Sequence, residues 1–135
     1  LLVLVLAAVT VGGVFAAPDL SKYQYFSIDK NDGTWGVFFS AYEVQIIETF
    51  EGYGLKYLSE KQLKALSAKD QETVLMLHFV SEGGVHTTIN LLDYSSDRII
   101  TNCKGKAVAG LPGVNTAKVS LLNALKASKK LFGKK

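Results

Sequence analysis

The stretch ETVLMLHFVSEGGVHTTINLLDYSSDRIITNC, residues 72–103, decides the fold of this chain. It holds three runs rich in branched and aromatic residues, which favour strands, separated by turn sequences at 81–84 and 94–97. Strands that are joined by such short turns pair with their neighbours in antiparallel order. The stretch therefore predicts a three-stranded meander, with strands over residues 72–80, 85–93 and 98–103.

Two capping-box sequences upstream of the meander predict helices. Residues 40–43 and 59–62 both match the pattern Ser-x-x-Glu/Gln, in which the two side chains close the first helical turn. The first opens a helix over about residues 41–52. Because apolar residues also alternate over 42–46, a strand is the alternative there. The second opens a short helix that continues to Leu66.

The two ends of the domain complete the predicted fold. The aromatic run 23–28 and the run 34–39 flank a turn at 29–33, which predicts a β-hairpin. Near the C-terminus, Asn115 is a suitable N-cap for a long helix over about residues 116–132. The predicted order is ββ-α-α-βββ-α. We expect an α+β domain in which an antiparallel sheet carries a long C-terminal amphipathic helix packed on it.

Residues 1–16, LLVLVLAAVTVGGVFA, differ from the rest of the chain because none is charged and most are apolar. The run is shorter than the about 20 residues that cross a bilayer. It ends with Val14 and Ala16 at positions −3 and −1 of a plausible cleavage site. We expect a signal peptide that lacks its basic start and initiator Met, with a buried core segment as the alternative. Residues 17–135 then form one secreted, extracellular α+β domain.

The composition excludes several classes of protein. With 48% hydrophobic and 20% charged residues, the chain is too apolar to be wholly disordered. One cysteine, Cys103, is too few for a domain stapled by disulfides. In an oxidising compartment we expect this free cysteine to be buried, to be reactive, or to link two copies as a disulfide-bonded dimer.

A polar cluster is predicted on one face of the meander. With a two-residue loop inside residues 82–84, Met76, His78 and Val80 face the core. The opposite face then carries a polar cluster of His86, Thr88, Asn90, Thr101 and Cys103. A thiolate beside a histidine is the arrangement of a nucleophile, so a Cys-dependent enzyme is one alternative. No oxyanion donor can be placed beside Cys103, and we therefore expect no enzyme.

The sequence predicts neither a metal site nor a cofactor. In the predicted register His78 and His86 lie on opposite faces, and neither Cys-x-x-Cys nor His-x-x-x-His occurs. The loop that begins at Asp29 departs from a calcium loop because Gly33 stands at position 5. Residues 105–113 lack the Gly-Lys-Ser/Thr ending of a phosphate loop.

The formal charge of +3 hides a division along the chain. All 12 acidic residues lie at or before Asp97, together with six lysines, whereas residues 98–135 carry Arg98, eight lysines and no acid. On the predicted C-terminal helix the apolar residues share one arc and the lysines the neighbouring arc, which is typical of a basic amphipathic helix. The lysines of this helix and of the residues after it are Lys118, Lys126, Lys129, Lys130, Lys134 and Lys135.

A helix that docks its apolar arc and leaves its lysines in solvent explains the pattern most simply. The charge division adds a functional expectation, which is a non-enzymatic binding protein whose basic C-terminal surface contacts an anionic partner. That partner is an anionic lipid surface or a polyanion such as a polysaccharide. A membrane-active defence protein that acts through this helix is the alternative. No nucleic-acid partner is expected, because no recognition motif occurs.

Overall fold

The computed structural model describes residues 18–108 and 115–132. The predicted signal peptide at 1–16 lies outside the described residues, and so do Lys134 and Lys135. The described chain has an α+β fold, as predicted, with a five-stranded sheet and a long C-terminal helix. Helices pack on both faces of the sheet.

The sheet is mixed, which corrects the prediction of a purely antiparallel sheet. Its strands lie in the spatial order β2-β1-β3-β4-β5. The predicted meander is confirmed as β3–β4–β5, but β1 runs parallel to both β2 and β3. The strands are β1 (Tyr25–Ile28), β2 (Lys56–Tyr57), β3 (Val74–Glu82), β4 (His86–Asp93) and β5 (Arg98–Lys106).

Hydrogen bonds at the start of two helices confirm the predicted caps. At the second predicted capping box, Gln62 N donates to Ser59 Oγ at 3.2 Å and Ser59 N donates to Gln62 Oε1 at 2.9 Å. Lys118 N donates to Asn115 Oδ1 at 3.0 Å, which confirms that N-cap. The α-helices are α1 (Glu43–Glu51), α2 (Glu60–Lys64), α3 (Ala68–Gln71) and α4 (Thr116–Phe132).

The predicted capping box at residues 40–43 is wrong. Ser40 Oγ donates to Gly36 O at 3.2 Å and makes no capping bond. Helix α1 begins only at Glu43, after a 3-10 turn over Ser40–Tyr42. The matching sequence pattern is therefore not sufficient when the preceding residues are themselves helical.

The predicted first hairpin is also wrong, because Trp35–Phe39 form a π-helical turn instead of a strand. Asp32 Oδ1 accepts hydrogen bonds at 2.8 Å from both N and Oγ1 of Thr34, which turns the chain at this point. The rings of Trp35 and Phe39 then lie 5.5 and 5.4 Å from the ring of Phe79 on β3. Burial of these rings outweighs the preference of aromatic residues for strands.

The loop between β3 and β4 has three residues, not the predicted two. Glu82 pairs with His86, and both Gly83 and Gly84 have positive φ, at 63° and 74°. The extra residue reverses the predicted faces of β3 relative to β4, because side chains alternate along a strand. The β3 residues that were expected in the core therefore lie on the opposite, partly exposed face: Met76, His78 and Val80.

Helices α1 and α4 cover the core face of the sheet. Helix α4 packs on β4 and β5 through buried residues that include Leu121, Ala124 and Leu125. Two hydroxyl pairs lie inside this packing, since Thr87 Oγ1 is 2.7 Å from Ser120 Oγ and the Tyr53 hydroxyl is 2.7 Å from Ser128 Oγ. Each pair gives the buried hydroxyl groups a hydrogen-bond partner, so docking α4 leaves these groups satisfied. The buried strand residues of this face are Phe26, Ile28, Leu75, Leu77, Phe79, Thr87, Ile89, Leu91 and Cys103.

Candidate functional site

The predicted polar cluster is divided between the two faces of the sheet. Thr101 and Cys103 pair with Leu91 and Ile89, which belong to the core face. Since paired residues of an antiparallel ladder share a face, the other three members lie on the opposite face. There His86 pairs with Lys106, Thr88 with Lys104 and Asn90 with Asn102 of β5. The predicted juxtaposition of Cys103 with His86 is therefore wrong.

Cys103 is buried between β5 and α4, with 5% of its surface exposed. Burial raises the pKa of its thiol to about 12. Reactive cysteines instead have a lowered pKa and an accessible sulfur. This environment argues against both a Cys-dependent enzyme and a disulfide-bonded dimer through Cys103.

His78 connects the partly exposed face of the sheet to the turn before the π-helical segment. Its Nε2 lies 2.9 Å from Asp32 Oδ2, and its Nδ1 accepts a hydrogen bond of 3.5 Å from Asn90 Nδ2. Hydrogen bonds from Thr34, and then from His78, lower the pKa of Asp32. Thr34 Oγ1 also contacts Phe79 O at 3.1 Å. The sequence gives no local signal for this group, because Asp32 and His78 are 46 residues apart.

A cavity of about 610 Å³ opens at the carboxyl ends of the parallel strands β1 and β2. The chain leaves β1 toward α1 on one face and leaves β2 toward α2 on the other, and such a divergence opens a crevice. Both lysines that line it are already paired, Lys30 with Glu43 and Lys64 with Glu60. Side chains of both charges and several hydroxyl groups line the cavity, so it favours no single ligand charge.

The lysines of α4 form the most distinctive charged surface that the structure describes. Every one of them is exposed, and none forms a salt bridge with another described residue. They lie on the arc of α4 that neighbours its buried arc, so the helix is amphipathic. We call these four residues the helix lysines: Lys118, Lys126, Lys129 and Lys130.

A shallow groove runs between α1 and α4 beside the helix lysines. Its volume is about 480 Å³, and Tyr53, Val119 and Leu122 form much of its apolar wall. Lys126 and Lys129 stand at the same groove. Cations therefore border an accessible apolar surface at this position, which is a pairing that amphiphilic anions recognise.

Three further cations lie on the edge strand β5. Arg98, Lys104 and Lys106 are exposed, and none of them forms a salt bridge with another described residue. We call them the β5 cations. Lys104 pairs with Thr88 and Lys106 with His86, so both project from the sheet face that lies away from α4. The helix lysines and the β5 cations are thus two separate basic regions of the acid-free segment.

The described residues provide neither a membrane span nor a metal cluster. Within 18–108 and 115–132, no helix combines the length and the apolar character needed to cross a membrane. Over the same ranges, no group of three or more His, Cys, Asp or Glu side chains is arranged to hold a metal ion.

The chain matches no protein-family model and no curated protein sequence. It does resemble a solved structure, a PelC dodecamer from Paraburkholderia phytofirmans. The two superpose with a TM-score of 0.53 at 15% sequence identity, over 87% of this chain and 96% of that chain. A likeness at this level of identity shows a shared fold.

Proposed function

We propose that this chain is a secreted, non-enzymatic binding protein whose helix lysines contact an anionic partner. The observation that carries the proposal is the placement of these lysines on the solvent side of the docked helix α4. No acid follows Asp97 in the sequence, so the segment that carries them cannot compensate their charge. A field of one sign attracts ions and polymers of the other sign.

Spacing within α4 strengthens the argument. Lys126 is three residues from Lys129 and four from Lys130, so the three ammonium groups share one face of the helix. Like charges at these spacings destabilise a helix by about 0.2–0.5 kcal/mol per pair. An anionic partner that lies across all three removes this repulsion when it binds.

An anionic lipid surface fits the local chemistry better than a fully hydrated polymer does. Lys126 and Lys129 border the groove whose wall includes Val119 and Leu122. A lipid surface offers phosphate groups for the lysines and an apolar interior for these side chains. A polysaccharide with carboxylate or sulfate groups would use the lysines alone, and binding assays on the two materials separate these cases.

The test compares a variant of the helix lysines with a matched control. The variant carries Gln at Lys118, Lys126, Lys129 and Lys130. The control removes the same number of charges, with Gln at four exposed lysines that are remote in sequence from α4: Lys22, Lys56, Lys61 and Lys69. Each protein is mixed with phosphatidylglycerol vesicles, with phosphatidylcholine vesicles and with dextran sulfate resin. We expect the native protein and the control to be retained on the anionic materials at low salt and released as the salt approaches about 1 M. Retention of the helix variant equal to that of the control contradicts the proposal.

Release of α4 from the sheet is not needed for this function. Leu121, Ala124 and Leu125 stay buried while the lysines contact the partner. The membrane-active alternative instead requires these apolar side chains to leave the core. Leakage of a trapped dye from phosphatidylglycerol vesicles favours that alternative, and binding without leakage favours the docked helix.

Self-association would multiply the basic surface. The similar PelC structure is a dodecamer, and we propose that this chain also assembles with copies of itself. Several copies on one surface raise the overall affinity without any new contact in each copy. Light scattering after gel filtration gives the mass directly. A monomer at every concentration tested contradicts assembly but leaves the binding function to its own test.

A further inference from the structure

Strand β5 is an edge of the sheet. Among residues 18–108 and 115–132, its ladder partner is β4 alone. It is nine residues long, whereas the strand at the opposite edge, β2, has two. A long edge strand presents a row of backbone N–H and C=O groups to which another strand can add.

The alternation of hydrogen bonds along β5 identifies the backbone N–H and C=O groups that point away from β4. Ala107 N donates to Val85 O at 2.9 Å, so the backbone of Ala107 points toward β4. In an antiparallel ladder every second residue repeats this direction, and the residues between point away. Asn123 Nδ2 donates to Lys106 O at 2.8 Å, as expected if the carbonyl of Lys106 points away from β4.

The same alternation assigns an outward direction to the backbone groups of Asn102 and Lys104. In the described part of the chain, no hydrogen bond from another element reaches the N–H or C=O of either residue. These two residues therefore present two donors and two acceptors in the order that an added strand requires. Beside them, Ile99 is 59% exposed and offers an apolar contact at the start of the strand.

The charge of the edge selects its partner. The β5 cations lie along this one strand, and no acid follows it in the sequence. If a second copy paired its own β5 in antiparallel order about Asn102, Arg98 of one copy would oppose Lys106 of the other. Like charges directly opposite each other destabilise a strand pair, whereas opposite charges stabilise it.

We propose that β5 accepts an added β-strand from an extended, acidic segment of a partner protein. The backbone of that segment pairs with Asn102 and Lys104, and its carboxylates lie against Lys104 and Lys106. This interaction goes beyond the proposed function, because it uses backbone groups and the β5 cations and none of the helix lysines. The two can therefore succeed or fail independently.

The test uses two substitutions at one outward-pointing residue. Asn102→Pro removes the outward N–H, and an edge strand tolerates proline where the lost donor faces away from the sheet. Asn102→Ala keeps the N–H and is the matched control. The probe is a fluorescent seven-residue peptide that alternates glutamate and valine, followed by anisotropy. We expect saturable binding to the native protein and to Asn102→Ala, and binding to Asn102→Pro that is at least about tenfold weaker, equivalent to about 1.4 kcal/mol.

Two further measurements distinguish strand addition from attraction by charge alone. The same peptide with the backbone nitrogens of both its glutamates and its valines methylated should lose binding to the native protein, because in either strand orientation it can no longer donate to the edge. The fourfold Gln variant of the helix lysines should bind the unmodified peptide as the native protein does. Equal affinity for the methylated and unmodified peptides overturns the proposal and leaves attraction by charge alone. This comparison needs only the native protein, so it decides the matter even if Asn102→Pro does not fold.

Self-pairing is the competing occupant of the edge. It predicts that Asn102→Pro, and not Asn102→Ala, shifts the native protein to a smaller mass in gel filtration, and that the peptide competes with this association. That pair of results overturns the proposal. An unchanged mass together with peptide binding supports it.

Discussion

Gly105 of β5 and Ala124 of α4 are in backbone contact. A Cβ atom on Gly105 would lie 2.2 Å from the backbone nitrogen of Ala124, a separation that no real side chain adopts. The backbone oxygen of Ser120 would be equally close, at 2.3 Å. The glycine is needed here for its size, because it allows the strand and the helix to touch. This contact sets the depth at which α4 docks and so the direction in which the helix lysines point.

Gly105→Ala should therefore destabilise the protein. Since the obstructing atoms are backbone atoms, β5 and α4 must separate, and we expect a loss of about 1–3 kcal/mol in the free energy of unfolding. The urea midpoint measured by circular dichroism reports the change. Gly36→Ala is the matched control, because a Cβ there meets nothing within 4 Å. Equal midpoints for the two variants would falsify the close contact.

Asp93 should make stability depend on pH in the acid range. Burial raises its pKa, but hydrogen bonds from Tyr23, Ser96 and Ser95 outweigh burial and hold the pKa well below its usual range. The Tyr23 hydroxyl donates to Asp93 Oδ1 at 2.6 Å. Because the folded pKa is below the unfolded value of about 3.9, the stabilisation is complete above that pH and is lost as the pH falls below it.

Urea midpoints between about pH 2 and pH 6 measure this effect. At pH 6, Asp93→Asn should unfold at a lower urea concentration than the native protein, which corresponds to a loss of about 1–3 kcal/mol in the free energy of unfolding. Its urea midpoint should also vary less with pH. Tyr23→Phe removes one donor and should weaken the acid dependence in part. An Asp93→Asn protein with the native pH slope would show that this carboxylate is not the titrating group.

The thiol of Cys103 should be inert in the folded protein. Its pKa is raised to about 12 by burial, so at pH 8 the thiolate needed for reaction is scarce and covered by α4. Labelling with Ellman's reagent at pH 8 should be at least about tenfold slower in buffer than in denaturing urea. A native rate that matches the unfolded rate would show an accessible sulfur and would restore the disulfide-bonded dimer as a candidate.

Ser59 and Ser40 should differ in their contribution to stability although they begin similar sequence patterns. Ser59→Ala removes a formed capping box and should cost about 1 kcal/mol. Ser40→Ala removes a hydroxyl that caps no helix, and we expect a change of a few tenths of a kcal/mol. Thermal unfolding of the two variants checks the difference. A larger loss for Ser40→Ala contradicts the assigned caps.

Features that depend on neighbouring residues could be predicted from the sequence. The N-cap Asn115 and the capping box at Ser59 each involve residues three positions apart. The places where the meander turns were predicted as well, although the loop between β3 and β4 is one residue longer than predicted. The long helix and the three consecutive strands follow from these local signals together with apolar periodicity. The strand β1 was predicted within residues 23–28, but its parallel pairing could not be predicted in this way, because its partner β3 lies about 50 residues away.

The candidate sites also divide into one that depends on neighbouring residues, which could be predicted, and others that depend on residues distant in the sequence, which could not. The helix lysines could be assigned to one surface because helical spacing alone brings them together. The polar cluster failed because the pairing of β5 with β4 shifts by one residue between Leu91 and Leu92. Leu92 still pairs with Ile99, as in the predicted register, but the shift places Cys103 opposite Ile89 and so on the other face from His86. Asp32 and His78 meet only because the turn at Asp32 folds back onto β3.

The sequence by itself determined the separation of charge along the chain, the meander and the amphipathic character of α4. Each of these is a property of residues close together in the chain. Only the tertiary structure decided which face buries Cys103, that β5 is an edge, and that Gly105 must be a glycine. The physical reason is that side chains alternate with a period of two along a strand, so a shift of one residue reverses every face. That shift is settled by packing between segments that are distant in the sequence.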